Sequence, residues 1–444
     1  MRLWLDVEDL FGYAAHHARP TGVQRFCCEL YGALVDAHGD RIGFVRHDPA
    51  GDGLRVIGAE AVAALYARMA EAPAPKVARA APDAPAQRRP RAGWLPREVR
   101  APLGRAARAQ RTALLAGFEA LRALPATWRG GARTVLGPDL REVAQPGDVL
   151  GAFGSPWSEP GQPARLARVA AATSARIAIL VHDMIPLERP EFCDRAQILA
   201  FREHMRAALP AADVIFANSR ATAGAVEACA RREGVALRGA PDVVPVGARP
   251  PPSPSALPEG LAAGGYVLMV ATLEARKNHL LAFRAWRRLV TEMPRGRVPT
   301  LVFAGRRGWM VEDLLQALEN CGWLDGMIRW VEEPDDAALA ALYQGCRFTL
   351  FPSHVEGWGL PVTESLAMGK PCVASGHGAI AEASGGLTLQ IDPDDATSAT
   401  AVLRRAIEQP EEIAALSERI RQEFHPVTWA ETARALMAAL ERAR

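Results

Sequence analysis

From end to end the chain alternates short apolar runs with amphipathic stretches of helical period, a rhythm that restricts it to βα units around parallel sheets. Leu3 to Val7, Val149 to Phe153, Ile177 to Val181 and Val214 to Ala217 read as buried strands, each followed by a turn and a helical pattern. The second half repeats the rhythm at Tyr266 to Val270, Thr300 to Ala304, Ile328 to Val331, Phe348 to Phe351 and Cys372 to Ala374. The chain has 444 residues, whereas single cores stop growing near roughly 250 to 300. Two doubly wound α/β domains therefore fit better than one. The stretch 248–265, containing RPPPSPSALPEG, lets neither helix nor strand propagate and reads as the linker. It separates a first domain, 1–247, from a second, 266–427. The last segment, 428–444, has helical period with Trp429, Leu436, Met437 and Leu440 apolar, and can pack back on the first domain.

A net charge of +2 is small for this length and points to no general affinity for nucleic acid. The charge is uneven, however. Between Lys76 and Arg133 there are thirteen Lys and Arg against three acidic residues. Two readings of this insertion stay open, a solvated and partly disordered segment, or a basic face lying on anionic lipid. The seven cysteines form no C-x-x-C pair and have no His at zinc spacing, so reduced thiols in a cytoplasmic protein are expected. MRLWLDVEDLFGY turns acidic too early for a signal peptide. No run approaches the ~20 apolar residues of a membrane span. Any membrane contact is expected to be peripheral, at the inner membrane.

The most informative stretch is FPSHVEGWGLPVTESLAMGKPCVAS, Phe351 to Ser375. A strand ending at Phe351 and a helix from Pro361 to Met368 leave a glycine-bearing loop at the carboxyl end of the strand, where open α/β sheets bind ligands. Gly357 and Gly359 admit a backbone path and a close ligand approach that side chains would block. Glu356 lies on the loop and Glu364 is placed in the first turn of the helix. Both can face one crevice and accept hydrogen bonds from vicinal hydroxyls of a sugar or ribose. Glu364 by itself is equally explained as a carboxylate favouring a helix N-terminus.

A second loop, ATLEARKNHLLAFRAW, sets Arg276, Lys277 and Asn278 directly before an amphipathic helix. Cations beside a helix N-terminus make an anion site. In the first half, RPTGVQRF places Gly22 and Arg25 at another helix start, where a cap by Thr21 explains the pattern equally well. VHDMIPLERPEF puts His182 and Asp183 at the carboxyl end of a buried-looking strand, where a lone histidine is more often structural than a substrate contact. In ADVIFANSRATAGAV a cap by Ser219 accounts for most of the pattern.

Together these segments resemble family 4 glycosyltransferases, a retaining family with the GT-B fold of two Rossmann-like domains facing a cleft, and in particular a bacterial mannosyltransferase-like subgroup. The E-x7-E signature stands at Glu356 and Glu364. TLEARKN is similar to the subgroup's diphosphate loop, and TGVQR and HDMIPLERPE to its N-terminal loops. The resemblance covers 19–34, 181–224, 266–290 and 348–395, and excludes the insertion about 76–133.

The resemblance implies that Glu356 contacts the donor hexose, Glu364 the nucleotide ribose, Lys277 the diphosphate and His182 the transferred sugar or acceptor. Asp183, Gly22, Arg276, Gly357, Trp358, Gly359 and Leu360 complete the expected substrate site. Thr272 stands where many members place an arginine, a charge for which Arg276 is the candidate replacement. The expected reaction transfers a hexose, mannose from GDP-mannose as the first choice, to a hydroxyl of a bacterial surface glycan or lipid-linked oligosaccharide. Neither a metal nor a cofactor is expected. A GT-B nucleotide-sugar epimerase and a non-catalytic scaffold of glycan assembly are the alternatives. A dinucleotide reading of Gly376-x-Gly378-x-x-Ala381 lacks room for a complete binding domain.

Overall fold

The computed structural model describes residues 1–20, 22–71, 78–79, 135–249 and 252–443. Thr21 and nearly all of the basic insertion lie outside them, so the cap at Thr21 and both readings of the insertion fall outside the described residues. The strands are β1 (Leu3–Asp6), β2 (Ile42–His47), β3 (Leu54–Ile57), β4 (Ala78–Arg79), β5 (Val149–Ala152), β6 (Arg176–Val181) and β7 (Val214–Ala217). They continue with β8 (Asp242–Val243), β9 (Tyr266–Val270), β10 (Thr300–Ala304), β11 (Ile328–Val331), β12 (Thr349–Phe351), β13 (Cys372–Ser375) and β14 (Leu389–Ile391).

Two seven-stranded sheets result, ordered β3-β2-β1-β5-β6-β7-β8 and β14-β13-β12-β9-β10-β11-β4. All pairings are parallel except β2 with β3 and β11 with β4. The chain is thus a two-domain α/β protein. Strands such as β1, β5 and β7 are buried at every position, as parallel strands covered by helices on both faces must be. Strand order reverses between β1 and β5 in the first sheet and between β9 and β12 in the second. Loops leaving the carboxyl ends of strands diverge at such reversals and open a crevice. The loop with Glu356 leaves β12, and that with Arg276 and Lys277 leaves β9, so both flank the crevice of the second sheet.

Five strands escape the periodicity: β2, the edge strands β3 and β14, and the two-residue β4 and β8. The hairpin β2–β3 carries Gly43 and ends in Arg46 and His47, and β14 is three residues long. Gly43 is required because a Cβ there would lie 2.3 Å from the ring of Trp4 on the adjacent β1.

The helix Trp429–Arg442 starts with a capping box between Thr428 and Glu431. Its apolar face buries Ala433, Leu436, Met437 and Leu440 in the first domain's core, against the helix Val23–His38. Trp429 meets Phe26 edge to face at 5.1 Å. No helix among the described residues is long and apolar enough to cross a membrane. All seven cysteines are unpaired, with Cys27, Cys229, Cys346 and Cys372 buried.

Candidate active site

A cleft of about 860 Å3 runs between the two domains. Every residue named above for the site lines it: Gly22, His182, Asp183, Arg276, Lys277, Glu356, Gly357, Trp358, Gly359, Leu360 and Glu364.

After β9 the chain makes a single 3-10 turn, Ala275–Lys277, and Asn278, at φ 61°, caps the helix His279–Glu292 by accepting from the amide of Leu281. The turn aims Arg276 and Lys277 across to the loop after β12. Lys277 Nζ lies 2.6 Å from Glu356 Oε1, which also accepts from Ser353 Oγ at 2.6 Å. Arg276 Nη1 reaches Glu356 Oε2 at 2.7 Å and the carbonyl of Val355 at 2.8 Å, while its Nη2 meets Glu274 Oε1 at 2.6 Å. Burial by itself would raise the Glu356 carboxyl. The charges of Arg276 and Lys277, with the hydrogen bonds from Lys277 and Ser353, outweigh burial and bring it down to about 2. Burial opposes the charge on Arg276, but the carboxylates of Glu356, Glu274 and Asp183 hold it firmly protonated. The cations of the expected anion site are therefore neutralised within the protein, because two carboxylates face two cations.

Glu364 sits deeper in its helix than its sequence position suggests. The helix is Leu360–Ala367 and has no acidic residue in its first turn, so stabilisation of a helix end does not explain it. Its Oε2 accepts from Tyr343 Oη at 3.0 Å, and its Oε1 forms an ion pair with Arg25 Nη1 at 3.2 Å. Arg25 projects from the helix Val23–His38 of the first domain, so this pair spans the cleft.

The two glycines of the loop have different roles. Gly359 adopts φ 113°, a region that disfavours side chains. A Cβ on Gly357 would lie 1.8 Å from the carbonyl oxygen of His182. What lies against Gly357 on its Cβ side is thus the other domain's backbone. Thr222 Oγ1 bridges the same point, 3.4 Å from both carbonyls. The indole of Trp358 packs beside the first domain's core, with Nε1 buried and unpartnered.

His182 is buried, with Nε2 2.8 Å from the carbonyl of Phe153 and its ring edge-on to Phe26. Burial brings its pKa down to about 4, so the imidazole is neutral. Asp183 is raised by burial, although Arg276 and Lys277 oppose the rise, and it accepts from the amide of Ile185 at 3.0 Å. Gly22, at φ 48°, starts its helix without a side-chain cap. Ser219 caps Arg220–Glu233 as expected, accepting from the amide of Thr222 at 3.0 Å.

Sequence reading missed several cleft residues. Glu274 is buried and binds Arg276, a pairing foreshadowed by the E-x-R spacing. Ser155, Trp157, Trp309 and Arg306 also line the cleft and carry no local motif. Ser155 is held from beneath by Asp9, whose Oδ2 accepts from its amide at 2.5 Å and its Oγ at 3.2 Å. Burial raises Asp9 to about 6, with the charge of Asp6 adding to the rise and Ser155 opposing it.

Residues 263–423 match the family of glycosyl transferases group 1. O-antigen chain mannosyltransferase B of Escherichia coli is 35% identical over 148 residues, 33% of this chain and 38% of that protein. The serotype-specific mannosyltransferase WbdA of Escherichia coli is 27% identical over 215 residues, 46% of this chain and 26% of that protein. The chain thus spans well under half the length of these relatives. Among solved structures, Anabaena HepE in complex with UDP-glucose superposes with a TM-score of 0.59 at 15% identity, over 100% of both chains. The trehalose-phosphate synthase of Burkholderia xenovorans gives 0.51 at 16% identity, over 68% of this chain and 74% of that one. These likenesses place the architecture in the GT-B fold. Over 263–423 the chain is thus similar to the glycosyl transferases group 1 family, on a two-domain GT-B scaffold, and the curated proteins it resembles include bacterial mannosyltransferases.

Proposed function

We propose that this protein is a retaining, metal-independent hexosyltransferase that moves mannose from GDP-mannose to a hydroxyl of a bacterial glycan or lipid-linked oligosaccharide. The observation that carries the reading is the Glu356–Arg276–Lys277 network at the reversal point of the second sheet, facing the first domain across the cleft. A sugar-binding carboxylate beside two fixed cations suits a donor whose leaving group is a diphosphate. Glu356 accepts from hydroxyls of the hexose, and Glu364 from the ribose once Arg25 gives way. As the bond from the anomeric carbon to the diphosphate oxygen breaks, Lys277 and Arg276 stabilise the charge that gathers on the phosphate. The acceptor oxygen bonds to the anomeric carbon, and its proton passes to the departing phosphate oxygen. No protein nucleophile takes part. His182, neutral and anchored to the Phe153 carbonyl, positions the sugar without exchanging a proton. The mannosyltransferase relatives support mannose as the transferred sugar.

The test pairs a thermal-shift panel of nucleotide sugars with nucleotide release measured with and without mannosyl acceptors. GDP-mannose is expected to raise the melting point most, by mass action, and release is expected to depend on acceptor. Glu356→Ala and Lys277→Ala are expected to stay folded and lose transfer. Full activity in both variants sinks the assignment.

A further inference from the structure

Arg276 and Lys277 are matched by Glu274 and, from the loop after β12, by Glu356, so together the four bring no net positive charge to a bound diphosphate. A third cation stands beside them. Arg306 follows β10, one residue past Gly305, and its backbone is tied to the β9 loop. The amide of Ala271 donates to the Ala304 carbonyl at 3.0 Å, that of Leu273 to the Arg306 carbonyl at 2.8 Å, and that of Gly308 to the Leu273 carbonyl at 2.8 Å. The glycines on either side permit this contact. A Cβ on Gly305 would sit 2.1 Å from the carbonyl oxygen of Ala271, and one on Gly308 would sit 2.8 Å from Thr272 Cγ2. The Arg306 loop therefore lies directly on Thr272, with little space for a long side chain at that position.

Arg306 lines the cleft, and no carboxylate among the described residues pairs with it. Nη1 reaches Tyr13 Oη only at 3.5 Å, the outer limit for a hydrogen bond, and Nε is buried without an acceptor. Arginine stays charged in proteins, and leaving a buried donor unsatisfied is costly. An oxyanion arriving in the cleft supplies the missing acceptor, in the forked geometry that guanidinium forms with phosphate.

We propose that Arg306 binds the diphosphate of the nucleotide donor, supplying from β10 the charge that Thr272 does not supply from β9. The proposal rests on the glycosyltransferase reading and names a residue that reading did not contain. It also revises the expected substitution, since Arg276 is occupied by carboxylates and Arg306 is not.

The experiment compares full-length wild type with Arg306→Gln and Arg306→Lys. GDP and UDP binding are measured by calorimetry, guanosine and uridine binding by ligand-observed NMR, and unfolding midpoints establish that each variant is folded. Arg306→Gln is expected to weaken the bound diphosphate nucleotide by roughly ten- to a hundredfold, the loss of one charge-assisted contact. Arg306→Lys is expected to recover part of that loss, and nucleoside binding is expected to be unchanged in both. Unaltered diphosphate affinity in folded Arg306→Gln overturns the proposal. So does an equal loss for nucleoside and diphosphate, which would assign Arg306 to the base. Should the wild type bind neither GDP nor UDP, the donor reading itself fails and takes this proposal with it.

Discussion

Replacing Glu356 by Gln tests the network most directly, because shape and hydrogen-bonding capacity change little while the charge is removed. A carboxyl brought from 4.5 to about 2 has its charged form favoured in the fold by about 3 kcal/mol. The side chain is only 9% exposed, so solvent screening takes little from that figure. Its folded pKa lies below the unfolded value, so the contribution is complete above about 4.5 and is lost as pH falls through about 2. Glu356→Gln is thus expected to lose about 3 kcal/mol relative to wild type near neutral pH, about half that at pH 3, and almost nothing near pH 2. A domain stabilised by roughly 5 to 15 kcal/mol survives the change. Urea unfolding at about pH 7, 5 and 3, followed by near-ultraviolet circular dichroism, gives the midpoints and slopes. Adding Lys277→Gln should restore part of the loss, because it removes the cation left without its carboxylate. Equal midpoints near neutrality, or a gap undiminished at pH 3, would refute the reasoning. The same variant is expected to bind GDP more tightly while losing transfer, since Arg276 and Lys277 no longer face a competing carboxylate.

Gly357→Ala places a methyl group where the His182 carbonyl stands, so the domains must part; solution scattering should report a larger radius of gyration, and transfer should fall at least tenfold. An unchanged radius with full activity would show that the contact is dispensable. Asp9 is raised from 3.8 to about 6, so its charged form is penalised in the fold and stability falls as pH rises through that range. Asp9→Asn is accordingly expected to gain about 1 to 3 kcal/mol at pH 8 and nothing at pH 3 in urea titrations; a loss at both would show that the carboxylate's hydrogen bonds to Ser155 dominate. His182 stays neutral down to about 4, so pH–rate profiles of wild type and His182→Gln should have the same shape from about pH 5 to 8. A wild-type limb near 6.5 that vanishes in the variant would contradict this.

Much of the fold was legible because helix and strand periods belong to neighbours along the chain. β7, β9, β10 and β11 stand where the apolar runs placed them, and the Glu356 loop leaves its strand at the expected end. The hairpin β2–β3 and the short β4, β8 and β14 were not legible, since a glycine, polar ends or two to three residues leave too little alternation to detect. The identity of the cleft residues, including the E-x7-E pair and the R-K-N turn, came from the resemblance of four segments to a known family, whereas the residues alone gave only loops at the carboxyl ends of strands.

Which of those residues touch, and in what charge state, was decided only by the tertiary structure. Arg25 meets Glu364 because two separately built sheets face one another across a cleft, and nothing local to either segment encodes that. Gly357 is small because the other domain's backbone passes over it. Arg306 shows an unsatisfied buried donor only once the β10 loop is laid on Thr272. Charge is the deepest of these differences: sequence reveals which groups can ionise, whereas burial and distance determine whether a carboxylate and two cations await a ligand or already hold each other.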